Sequence, residues 1–135
     1  GQGIILEALL KVQNKVESEQ IKREMKNYLE RRKQTQPVYS ASAGSIFKNP
    51  DWTSAGKLIE EAGCKGWRMG GAEISPIHAN FIVNSENATS QEIYSLLKMV
   101  QERVYQLKKI HLELEITLVG NFTPHHRKPP ARVEE

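Results

Sequence analysis

Residues 89–119 read TSQEIYSLLKMVQERVYQLKKIHLELEITLV, and two hydrophobic periods meet in them. Thr89, with Glu92 three residues later, is a capping box that predicts a helix start. Ile93, Leu96, Leu97, Val100, Val104 and Leu107 then recur at helical spacing through residue 107. After Lys108-Lys109 the period falls to two, which predicts a strand over 110–119. Leu112, Leu114, Ile116 and Leu118 form one face and alternate with Glu113, Glu115, Thr117 and Val119. Glutamate is disfavoured in mid-strand, so the second face has two readings. It is a solvated sheet face, or it aims a carboxylate into a cleft.

Working back towards the N-terminus, residues 79–84 (Ala-Asn-Phe-Ile-Val-Asn) read as a short strand between turns. Residues 63–72 hold four glycines in ten positions, which predicts a tight, close-packed crossing. Ser54 is placed to cap a short helix over 55–62, with Ala55, Leu58, Ile59 and Ala62 facing inward and Gly63 ending it. A second helix is expected over 18–32, with Ser18 as N-cap and Arg31-Arg32-Lys33 suiting its negative end. Its narrow stripe of Ile21, Met25 and Leu29, with Tyr28 alongside, suits a helix lying over a sheet. Residues 4–12 fit helix by composition, but the run is short and has no clear cap.

Between these helices lies a connection over 34–50, bounded by Pro37 and Pro50. Its end, residues 40–50, reads SASAGSIFKNP. Small residues let a backbone approach a ligand closely, and Gly44 permits dihedrals that a side chain forbids. Ile46 and Phe47 anchor the segment, while Ser45, Lys48 and Asn49 offer a hydroxyl, a cation and an amide. An ordinary Ser/Gly surface turn has the same composition.

The bulk numbers exclude several classes. The chain has 135 residues, 39% of them hydrophobic and 26% charged, as in a globular domain able to bury a core. No apolar run is long enough to cross a bilayer, and the first residues do not form a signal sequence. Cys64 is the single cysteine, which fits a reducing compartment. The net charge of +3 is spread without a basic block, which argues against nucleic acid and suits a small anionic ligand. Trp52 and Trp67 stand too far apart in sequence to read as a stacking platform. His125-His126 lie in a proline-rich tail with no second cluster to complete a metal site, so no metal is expected. His78, before a strand, reads first as a structural histidine. What remains is a hydroxyl, a few cations and amides, and strand carboxylates, a set that suits an anionic ligand with proton transfer.

Taken in order, the motifs resemble those of the UDP-N-acetylenolpyruvoylglucosamine reductase (MurB) family. Gln36-Pro37 followed by residues 42–50 resembles that family's substrate-binding segment. The resemblance continues through 55–59, Gly63-Cys-Lys-Gly66, Gly70-Gly-Ala72, residues 78–84 and residues 112–116, ending at Gly120. The order, over roughly residues 3–120, is far more specific than any single motif. Cys64 departs from the family's larger aliphatic residue, and Ala41 from a common proline.

The resemblance covers only the C-terminal part of that enzyme. It implies an α+β fold, a single compact domain with a small mixed sheet covered by helices. Residues 1–120 would be the substrate-binding domain, 4–12 the strand leading out of a flavin domain, and 121–135 an irregular, flexible tail. The family reduces the enolpyruvyl ether of UDP-N-acetylglucosamine in the bacterial cytoplasm, a step of peptidoglycan synthesis, using FAD and NADPH. By position, Ser45 matches the general acid that protonates C2, and Glu115 the second acid/base residue near the substrate carboxylate. Asn49 matches a diphosphate contact, and Lys33, twelve residues before Ser45, a substrate-binding lysine. Lys48 belongs to the motif, His78 stands near the nucleotide contacts, Gly44 shapes the loop, and Glu113 has no matched role and reads as solvated. FAD and NADPH would be bound mainly by the flavin-binding domain of the same enzyme, so the chain alone is expected to be inactive. No nucleic-acid or membrane partner is implied. The rival reading is a stand-alone, non-catalytic nucleotide-sugar-binding module.

Overall fold

In a computed structural model that describes residues 4, 6–12 and 15–123, the elements run α1 (Ser18–Thr35), β1 (Ser42–Ser45), α2 (Ala55–Glu61), β2 (Arg68–Met69), β3 (Ala72–Ile74), β4 (Phe81–Asn84) and α3 (Ser90–Lys108). The local signals account for two of the helices. The Thr89 hydroxyl accepts from the Glu92 N–H at 3.2 Å, and the Glu92 carboxylate accepts from the Thr89 N–H at 2.8 Å, so α3 starts where its capping box stands. Ser54 likewise accepts from the Lys57 N–H at 3.2 Å and caps α2. Lys109, in the left-handed region at φ 58, ends α3.

By contacts the chain divides into Gly1–Arg31 and Arg32–Glu135. In the first unit, residues 4 and 6–12 form neither strand nor helix, so the strand expected over 4–12 is absent from the described residues. The stripe of α1 is also exposed: Ile21, Met25, Tyr28 and Leu29 all face solvent, and no residue of the helix is buried. The stripe expected to lie on a sheet is therefore uncovered within its own unit. Only residues 121–123 of the expected tail are described, so His125-His126 and its other basic residues fall outside the description.

The second unit carries the fold. Its sheet has the order β1-β4-β3-β2 with every pair antiparallel. The α+β class holds, and the sheet expected to be mixed is antiparallel throughout its described strands. The helix α3 packs on β2 and β3, and α2 packs on α3. Between them lies the core of Leu58, Ile59, Ile74, Ile82, Leu96, Leu97, Val100 and Val104, joined by Ile46, Phe47 and Leu112. Burying one such side chain fully contributes about 1.5–3 kcal/mol, so the helical period of α3 is what fixes it to the sheet.

Two expectations change here. The glycine-rich crossing is a hairpin in which β2 and β3 pair Met69 with Ala72 across Gly70-Gly71. Gly71 is required by close approach, because a Cβ there would land on the carbonyl oxygen of Glu86. The strand expected over 110–119 is not formed; this segment makes one isolated bridge, Leu114 to Phe47. Its alternation survives over 110–116, where Leu112 is buried and Ile110, Leu114 and Ile116 pack against the core. Leu118 is exposed. Side-chain period reports which face is buried, whereas a ladder also needs a partner of matching length.

Candidate functional site

The segment read as a loop is partly strand. Ser42 pairs with Val83 and Ser45 with Phe81, so three steps along β1 match two along β4 and one extra residue bulges out. Gly44 sits in that bulge at φ +85, a conformation that strains any residue with a side chain. A bulge re-aims the next side chain, and Ser45, exposed, is the one it presents.

Behind Ser45 the chain is held by Asn80. Its backbone oxygen accepts from the Ile46 N–H at 2.9 Å. Its side-chain oxygen accepts from the Phe47 N–H at 3.0 Å, and its amide donates to the Phe47 carbonyl at 2.8 Å. Asn80 is 3% exposed and its side chain mimics a strand partner for Phe47. Sequence reading passed over it, because its partners lie thirty-three positions away and no local signal marks them.

On the other side of Phe47 lies the 112–116 segment. The Lys48 N–H donates to the Glu113 carbonyl and the Glu115 N–H to the Ile46 carbonyl, each at 2.8 Å. These bonds set Glu115 opposite Ile46, the neighbour of Ser45, so the bridged segment runs beside the chain that carries Ser45. Glu115 is exposed. Glu113 is not merely solvated: its carboxylate meets the Lys48 ammonium at 3.4 Å. Both groups are exposed, so the pair contributes little to stability.

Asn49 continues the segment, and its side-chain oxygen accepts from the Ala55 N–H at 2.9 Å. Its oxygen is thereby fixed at the start of α2, and its amide nitrogen makes no hydrogen bond among the described residues. His78 is half-buried; its Nδ1 accepts from the Asn80 N–H at 3.2 Å and its ring meets Phe81 edge-on at 4.9 Å. A Cβ at Gly56 would lie 3.1 Å from the imidazole, so α2 packs against it closely. Lys33 lies exposed in the last turn of α1, on the segment leading into β1.

Beside this arrangement is an open cleft of about 410 Å³, lined by Lys48, Asn49, Trp52, Ile110, His111 and Glu113 among others. Ser45 and Glu115 do not line it. No group of three metal-ligating side chains occurs among the described residues. Cys64 is fully buried and burial pushes its thiol up to about 11, so it is an inert core residue. No described helix is long and apolar enough to cross a membrane.

Residues 36–119 match the family model of the UDP-N-acetylenolpyruvoylglucosamine reductase C-terminal domain. Lys33 stands just outside that match. The chain is 46% identical over 103 residues to the UDP-N-acetylenolpyruvoylglucosamine reductase of Synechococcus sp. (strain JA-3-3Ab), covering 76% of this chain and 33% of that protein. It is 40% identical over 118 residues to the enzyme of the same name from Bacillus subtilis (strain 168), covering 87% and 39%. Among solved structures it is similar to the reductase (MurB) from Thermus caldophilus, with a TM-score of 0.61 and 40% identity over 78% of this chain and 35% of that one. The chain thus spans between a third and two fifths of the length of these relatives. With more than half its residues inside the family match, the chain belongs to the UDP-N-acetylenolpyruvoylglucosamine reductase family and corresponds to its C-terminal domain.

Proposed function

We propose that this chain binds UDP-N-acetylglucosamine enolpyruvate and supplies the proton for reduction of its enolpyruvyl group. The observation that carries the reading is the bulge at Gly44, which presents Ser45, with the Phe47–Leu114 bridge holding Glu115 opposite Ile46. Hydride arriving at C3 of the enolpyruvyl group leaves negative charge at C2 and on the neighbouring carboxylate. The Ser45 hydroxyl then donates a proton to C2, and its oxygen recovers one from solvent. A serine hydroxyl is a weak acid, so it acts only where backbone holds it against developing charge, and positioned acid catalysis is worth about 10²–10⁴-fold. Glu115 serves as the second acid/base group, beside the substrate carboxylate.

The remaining residues hold the anionic end. Asn49, its oxygen fixed by the Ala55 N–H, turns its amide hydrogens towards the diphosphate. Lys48 is exchanged from Glu113 to phosphate at little cost, because the exposed pair is weak. Lys33 adds a second cation, and His78 meets the nucleotide with Nε2 while Nδ1 stays on the Asn80 N–H.

A hydroxyl, an amide, cations and carboxylates around open clefts do not fit a flavin ring. We therefore assign FAD, and the NADPH that reduces it, to the part of the family enzyme that this chain does not span. On this reading the 135 residues bind substrate without oxidising NADPH, act in the cytoplasm, and pair with the flavin-binding domain. The test is Ser45→Ala in a reductase carrying this domain. Substrate reduction should fall at least about 10²-fold, while reduction of the flavin by NADPH is unchanged. Equal loss of the two half-reactions would remove Ser45 from the proton-donor role.

A further inference from the structure

We infer that Trp52 forms the base-stacking wall of the nucleotide site, reading the pyrimidine ring of the substrate's nucleoside diphosphate. The inference rests on the proposed diphosphate contact at Asn49 and extends it. A lone exposed tryptophan needs no explanation on a convex surface. Trp52 is different in its placement: it is 69% exposed and lines the same cleft as Asn49 and Lys48. Among the described residues its indole makes no ring contact and no hydrogen bond. Trp67, by contrast, packs against the core.

The turn that carries Trp52 is anchored at both ends. Asn49 binds the Ala55 N–H, and the Thr53 N–H donates to the Pro50 carbonyl at 3.2 Å. The indole is therefore three residues from the diphosphate donor on a short, closed turn. Ile110 and His111 also line the cleft, and the His111 ring is already stacked on Tyr105 at 4.1 Å. A cleft lined both by phosphate donors and by an uncovered aromatic face suits a nucleotide, whose base lies one ribose away from its phosphates. Stacking a base on an aromatic side chain is worth about 1–3 kcal/mol, or roughly five- to a hundredfold in affinity.

The test uses the full chain, titrated with UDP and separately with inorganic pyrophosphate and followed by NMR. UDP should move both the Asn49 side-chain amide and the Trp52 indole N–H, and pyrophosphate only the former. Trp52→Ala should weaken UDP about tenfold and leave pyrophosphate unchanged, while Trp52→Phe should retain most UDP affinity. UDP that moves Asn49 and binds Trp52→Ala as tightly as wild type would overturn the inference and leave the diphosphate contact standing. Equal weakening of both ligands in Trp52→Phe would also overturn it. If neither ligand moves Asn49, the diphosphate reading itself fails, and the stacking wall with it.

Discussion

Asn80 is the residue on which the geometry around Ser45 depends, although it touches no proposed substrate group. It satisfies both backbone groups of Phe47 with one side chain and the Ile46 N–H with its own carbonyl. Every buried side-chain nitrogen or oxygen among the described residues has a partner, so the interior has no slack to absorb a loss here. Asn80→Ala leaves the Phe47 N–H and C=O unpaired at about 1–3 kcal/mol each. The expected result is a loss of about 2–4 kcal/mol in urea unfolding. Asn80→Asp should be no rescue, since a carboxylate accepts from the Phe47 N–H but cannot donate to its carbonyl. A loss under about 0.5 kcal/mol for Asn80→Ala would show that the segment is held by its bonds to Glu113 and Glu115 instead.

Among the elements, α3 and the β2–β3 hairpin are tied through Glu92. Its carboxylate accepts from the Thr89 and Gly71 N–H groups, and these bonds hold it below the ordinary value of 4.5. A carboxylate depressed in the folded state stabilises above its unfolded value, and that contribution is lost as pH falls through the folded one. Urea midpoints should therefore drop as pH falls below the ordinary carboxylate range, and the drop should be shallower in Glu92→Gln. Identical pH profiles for the two proteins would contradict this link. The same comparison shows what sequence can carry. The caps of α2 and α3 were legible because Ser54, Thr89 and Glu92 act on N–H groups three residues away. Strands β1, β2 and β3 were not, because runs of two to four residues are too short to display a period. The segment 110–119 failed in the opposite sense, since its period was clear but its ladder stops at one bridge, closed by the Glu113 carbonyl and the Glu115 N–H. Ser45, Lys48, Asn49 and Glu115 were proposed through the order of the motifs, and their placement in the fold needed the bridge and the bulge.

For the whole molecule, the sheet and α3 form a scaffold that brings a strand edge, a bulge and a returning segment together on Phe47. The family match covers that scaffold and the relatives are two to three times as long, so the chemistry proposed for Ser45 is one part of a larger reaction. The central claim is that this part recognises the substrate by itself. The most direct measurement is an NMR titration of the 135-residue chain with UDP-N-acetylglucosamine enolpyruvate. Saturable shifts are expected at Ser45, Lys48, Asn49 and Glu115, with the core of α3 unmoved. Shifts confined to other surfaces, or none at millimolar substrate, would contradict the account.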